Sequence, residues 1–90
     1  MKYVSYACGY IVDMQKIDNE TTFITIGKDI NNIYTYITLV VSPKTLILDS
    51  ECNEISIEDL NIRDTVLAYH SNVMTMSIPP QTKAYIIELK

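Results

Sequence analysis

GYIVDMQKIDNETTFITI, residues 9–26, decides the class of this fold. Tyr10, Val12 and Met14 alternate with Ile11, Asp13 and Gln15, the two-residue period of an extended chain with one wetter face. Asp18, Asn19 and Glu20 are turn formers, because short polar side chains bond their own backbone. Beyond them Thr22 to Ile26 alternates again, with Ile24 and Ile26 on a common side. Two strands flanking a tight polar turn predict a β-hairpin.

The same grammar extends in both directions. The polar loop GKDINN leads into the longest run, Ile33 to Val41, where Ile33, Ile37, Leu39 and Val41 share one parity and Tyr34, Tyr36 and Val40 the other. Bulk on both faces predicts a strand that is central or covered on both sides. Ser42-Pro43-Lys44-Thr45 is a turn, followed by a short strand LILD (46–49) and a loop over 50–53. In ISIEDL (55–60), Ser56 before Glu58 and Asp59 suits the capped start of a very short helix. A turn at 61–64 opens a strand at Thr65, where Val66 and Ala68 alternate against Leu67 and Tyr69. Ser71 and Asn72 interrupt it, and VMTMS (73–77) resumes extended character. Pro79-Pro80 cannot continue a central ladder, since two backbone donors are missing. KAYIIEL (83–89) is the closing strand. Five or six strands in one domain, residues 1–90, are too few for a seven-stranded sandwich, so the sheet hides its edges by curling. The expected architecture is all-β, a small OB-like antiparallel barrel with one short helical turn.

Composition narrows the function classes. The chain has 90 residues, 48% of them hydrophobic, with 7 Lys and Arg against 11 Asp and Glu, a net charge of −4. That is too apolar for a disordered chain. The longest near-apolar stretch, Ile37 to Val41, falls far short of the ~20 residues of a membrane helix. MKYVSYACGYIVDM has no continuous apolar segment ending in a small-residue cleavage site, which predicts a cytoplasmic protein without a membrane association. The cations Lys2, Lys16, Lys28, Lys44, Arg63, Lys83 and Lys90 are scattered, which disfavours nucleic acid as a partner. Cys8 and Cys52 are expected as free thiols in a reducing cytosol, one disulfide being the alternative in an oxidising compartment.

DLNIRDTVLAYHSNVMTMSIPPQTKAYII, residues 59–87, resembles a group of small, functionally uncharacterised bacterial β-barrel domains. Their C-terminal half runs approximately D-L-x-x-G-D-x-V, a strand, a polar Ser-containing link, and M-T-x-S-x-P-P-Q-T before a last strand. The match covers the last third of the chain, with a weaker echo in the first hairpin, and implies a fold but no activity. Arg63 stands where that pattern favours Gly, which points to a turn of a different type, because Gly supplies a positive φ cheaply. HSNVMTM is also similar to a segment of periplasmic copper-binding OB-fold chaperones, which hold Cu(I) with one His and two Met. That resemblance implies a metal site of His70, Met74 and Met76. This chain departs from it in having no Trp to cap the metal, no export signal, and the Met triplet after the fourth main strand.

Chemistry alone gives the same short set of candidates. Thioether and imidazole ligands suit Cu(I), and two Met at i and i+2 of an extended segment point to one side. The bland alternative makes the Met residues core fillers and His70 a hydrogen-bonded strand residue. Nucleophilic catalysis finds only His70 as a base; Ser71 beside it presents its hydroxyl poorly, and Cys8 lacks an electropositive setting. Glu58-Asp59 and Asp49-Glu51 read as solvated charges at loops and a helix start. With Gly9 and Gly27 alone, no glycine-rich phosphate loop is available. Tyrosines at 3, 6, 10, 34, 36, 69 and 85 are the most unusual feature. Tyr34 and Tyr36, projecting together from the long strand, form a possible aromatic interaction face that stacks the bases of a single-stranded nucleic acid or meets another protein copy. The sequence thus predicts a non-enzymatic binding or interaction module without a cofactor, its partner another protein or itself as a homo-oligomer. The alternatives are Cu(I) binding through His70, Met74 and Met76 and single-strand binding through the tyrosine face.

Overall fold

The hairpin read at residues 9–26 is the beginning of a six-stranded sheet that closes on itself. The computed structural model describes residues 4–90; Lys2 and Tyr3 lie outside the described residues. The strands are β1 (Val4–Lys16), β2 (Thr22–Gly27), β3 (Tyr36–Val41), β4 (Leu46–Leu48), β5 (Thr65–Met74) and β6 (Gln81–Leu89), with 3₁₀ turns at Ile33–Thr35 and Ile57–Asp59. Around the barrel the order is β1-β2-β3-β6-β5 and back to β1, and β4 lies beside β6 as a sixth strand. This is the OB-like, all-β barrel expected. The ladders of β1 with β2 and β5, of β2 with β3 and of β5 with β6 are antiparallel. Closure is parallel, β3 against β6 over Thr38–Val40 and Gln81–Lys83, and β4 also runs parallel to β6. Neither contact joins strands linked by a tight turn, so no hairpin dictates their direction.

β1 serves two ladders. Its first half, Val4–Tyr10, pairs with β5, and Tyr10–Lys16 pairs with β2. A bulge between Ile11 and Asp13 marks the change of partner and reverses which parity faces inward. The sequence period placed Ile11 with Asp13 and Gln15 on the wetter side; Ile11 is instead fully buried, while Asp13 and Gln15 are exposed. Both glycines are required near this junction. A Cβ on Gly9 would lie 2.6 Å from the Gly27 carbonyl oxygen, and one on Gly27 would lie 2.6 Å from the Tyr36 ring.

Three local expectations change. Ile33–Thr35 is a 3₁₀ turn, so β3 begins at Tyr36. Asn32 caps that turn, its Oδ1 accepting from the Tyr34 N–H at 3.0 Å, and the side-chain cap overrides the extended propensity of Ile-Tyr-Thr. Ser71 and Asn72 do not interrupt β5; they sit in a register shift within one continuous strand. Arg63 adopts φ 79°, so the turn keeps the left-handed residue that Gly would supply. The Arg63 N–H donates to Ile11 O at 2.7 Å and Ile11 N–H to Asp64 O at 2.8 Å, which ties the turn to the β1 bulge. The turn at 57–59 is as expected, with Ser56 and Asp59 forming a reciprocal capping box.

Ile11, Ile24, Ile26, Leu39, Val66 and Ile87 fill the barrel, and Leu60 closes one end with Ile55 and Ile57 against it. Each such side chain gains about 1.5–3 kcal/mol on full burial. The buried polar groups are satisfied: Thr25 and Thr38 hydroxyls bond each other at 3.0 Å, and Thr82 Oγ1 reaches both Ser71 O and Val73 O.

Candidate functional site

The β5–β6 hairpin inverts the ordinary division of labour between polar and apolar side chains. Its hydroxyls are consumed in holding the loop. Ser71 Oγ accepts from Val73 N–H at 3.0 Å, Thr75 Oγ1 from Gln81 N–H at 2.9 Å, and Ser77 Oγ donates to Pro79 O at 2.9 Å while bonding Thr75 Oγ1 at 2.7 Å. Thr38 N–H donates to Pro80 O at 2.8 Å, docking the loop on β3. The apolar side chains are left outside: Met76 is fully exposed, Val73 is 79% exposed, Ile78 64%, and Met74 partly so. Single exposed apolar residues are normal, whereas several close together in one hairpin are less so.

At the base of the loop lies an open cleft of about 390 Å³, lined by Val40, Val73 and Met74 with Thr75, Gln81 and Lys83 at its polar margin. The charge around it is distinctive. From Thr65 to Ile87 the chain has no Asp or Glu, although it carries 11 of them in all, and Lys83 is the single Lys or Arg of that stretch. The result is an apolar, nearly uncharged surface on an otherwise acidic protein.

The sequence-derived site residues fall elsewhere or apart. His70 is 4% exposed, its ring inside the barrel wall with Nδ1–H donating to Ser71 O at 2.8 Å. Met76 projects wholly into solvent from beyond the end of β5, and Met74 faces the cleft. Met74 lines the cleft without His70 or Met76, and β5 ends at Met74, which breaks the i, i+2 relation. Among the described residues no cluster of three or more His, Cys, Asp or Glu has metal-holding geometry. Tyr34 and Tyr36 do not share a strand face either. Tyr34 is exposed on the 3₁₀ turn, whereas Tyr36 lies over Gly27 and donates its hydroxyl to Ile30 O at 2.6 Å. Cys8 and Cys52 are exposed free thiols. Asp49 is a loop brace: its carboxylate accepts from the Asn53 and Glu51 N–H groups, each at 2.9 Å, and the Asn53 bond foremost holds its pKa below the ordinary 3.8.

Val73 and Ile78 escaped the sequence reading. The signal was present in VMTMSIPP, where apolar and hydroxyl residues alternate just before a Pro pair that excludes a sheet interior. An alternating segment without a sheet to bury one face has to expose it. No family model matches the chain, and a search of curated proteins finds no match.

Proposed function

We propose that this protein is a non-enzymatic interaction module that grips an apolar segment of another protein with its β5–β6 hairpin and the adjoining cleft. One observation carries the reading: Val73 near the end of β5 and Met76 and Ile78 on the loop after it stand in solvent, while the polar groups of that loop are already bonded to one another. Side chains held out by a rigid support lose little entropy on docking, so their burial is retained as affinity. Burying three such residues is worth several times the ~0.8 kcal/mol of one methylene, enough for a specific if moderate contact. Lys83 is the one charged residue lining the cleft, so little charge is desolvated on docking there.

The test places p-benzoylphenylalanine in place of Met76, Ile78 or, as control, Asp18, and irradiates living cells. Discrete protein adducts from positions 76 and 78 but not 18 are expected, and a Val73→Ser/Ile78→Ser background should abolish them without moving Tm by more than about 3 °C, since exposed positions contribute little to stability. Equal adduct patterns from all three positions, or none from 76 and 78, would sink the reading.

A further inference from the structure

The outer wall of the barrel carries a second apolar surface, distinct from the exposed side chains of Val73, Met76 and Ile78, with Lys83 at the margin of both. In register across four strands, Leu46 of β4 lies opposite Ile86 of β6, Ile86 opposite Tyr69 of β5, and Tyr69 opposite Tyr6 of β1. The next row, Ile47, Ile87, Ala68 and Ala7, faces the core, so the first row faces out. Tyr6 is 72% exposed, and its ring packs against that of Tyr69 with centroids 6.4 Å apart. A bulge widens the row. Ala84 pairs with His70 and Ile86 with Tyr69, which leaves Tyr85 between them unpaired, and Tyr85 and Ile86 both lie between the buried Ala84 and Ile87.

The charges that bracket this surface identify its occupant. Along the outside of β6 the residues read Lys83, Tyr85, Ile86, Glu88: cation, two apolar groups, anion. Lys83 Nζ lies 6.0 Å from the Tyr85 ring centroid, and Glu88 meets Lys90 at 3.1 Å in a solvent-exposed pair of little energetic worth. Such a sequence is complementary to itself when reversed. Two copies laid face to face with β6 antiparallel, about a two-fold axis between Tyr85 and Ile86, bring Lys83 of each against Glu88 of the other and stack the Tyr6-to-Leu46 rows. An isologous contact requires a patch to fit itself. For a chain of net charge −4 that condition is demanding, since most of its surface would oppose carboxylate to carboxylate.

We propose that this protein forms a weak homodimer through the outer face of β6 and the Leu46–Ile86–Tyr69–Tyr6 row. The footprint sets its strength. The three spacings between four strands at ~4.8 Å and the five residue steps from Lys83 to Glu88 at ~3.3 Å cover about 14 by 17 Å. That is well below the ~800 Å² per partner of a standard interface, so the dimer is a weak one, and its Lys83–Glu88 pairs loosen with salt.

Sedimentation equilibrium of the full chain from 10 μM to 1 mM tests this. The expected average mass rises above 10.3 kDa with concentration. Lys83→Glu alone and Glu88→Lys alone should each stay monomeric to 1 mM, because each places two like-charged pairs at the interface. An equimolar mixture of the two should associate, since both cross-pairs then become attractive. Circular dichroism of each variant at 25 °C should match the parent. A parent that stays at 10.3 kDa to 1 mM, or a mixture that associates no better than its components, overturns the proposal. Val73→Ser/Ile78→Ser should leave the dimer intact, so failure here and failure of the hairpin reading are separable.

Discussion

Two turns of this barrel are equally well pinned and serve opposite ends. The 61–64 turn spends its backbone groups on Ile11 and thereby sinks an isoleucine into the core. The 75–80 loop spends its hydroxyls on itself and holds Met76 and Ile78 away from the core. The difference teaches that a dense hydrogen-bond network does not by itself mean a stabilising element. What matters is where the network aims the apolar side chains.

The sharpest way to break that contrast is at the first turn's beneficiary. Ile11→Ala empties a fully buried site next to Val66 and Ile26 and should cost about 3–4 kcal/mol, lowering Tm by at least ~12 °C in a thermal melt. Thr82→Val, at the root of the second loop, removes one hydroxyl that serves two carbonyls, Ser71 O and Val73 O. It should cost about 1–2 kcal/mol and speed amide exchange at Val73 and Thr75 more than at Val66. Arg63→Gly should act in the other direction. It relieves a φ of 79° that an L-residue adopts at a cost, and a gain of about 0.5–1 kcal/mol is expected in urea denaturation.

The smallest effect is acid-dependent and belongs to neither turn. The folded-state pKa of Asp49 is lowered, so the brace it gives the 49–53 loop is complete above pH 3.8 and is lost as pH falls through the lowered value. An NMR titration should show the Glu51 and Asn53 amides moving together with a midpoint below 3.8, while the amides of the 75–80 loop stay still.

Much of the wall was legible because alternation at Thr22–Ile26 and Thr65–Tyr69 reports one buried face directly. Ser56 with Asp59 likewise announced its cap. The reading slipped where a single residue resets the count. The bulge after Ile11 exchanged inside for outside, Asn32 captured Ile33–Thr35 into a turn, and the register shift past Tyr69 kept β5 whole through Ser71 and Asn72. The site suffered from the same cause. Met74 and Met76 look like partners at a spacing of two only while the strand continues, and β5 stops at Met74. Tyr34 and Tyr36 parted company because a 3₁₀ turn separates them. Likewise, the Leu46–Ile86–Tyr69–Tyr6 row joins four segments far apart in the chain, and no local pattern encodes their alignment.

The parallel seam between β3 and β6 joins Thr38 to Gln81 and is only three residue pairs long. Contacts between segments so remote in sequence carry a high loop-closure cost for the few pairs they gain. The 75–80 loop leads straight into this short seam, and the bond from Thr38 N–H to Pro80 O ties the two together.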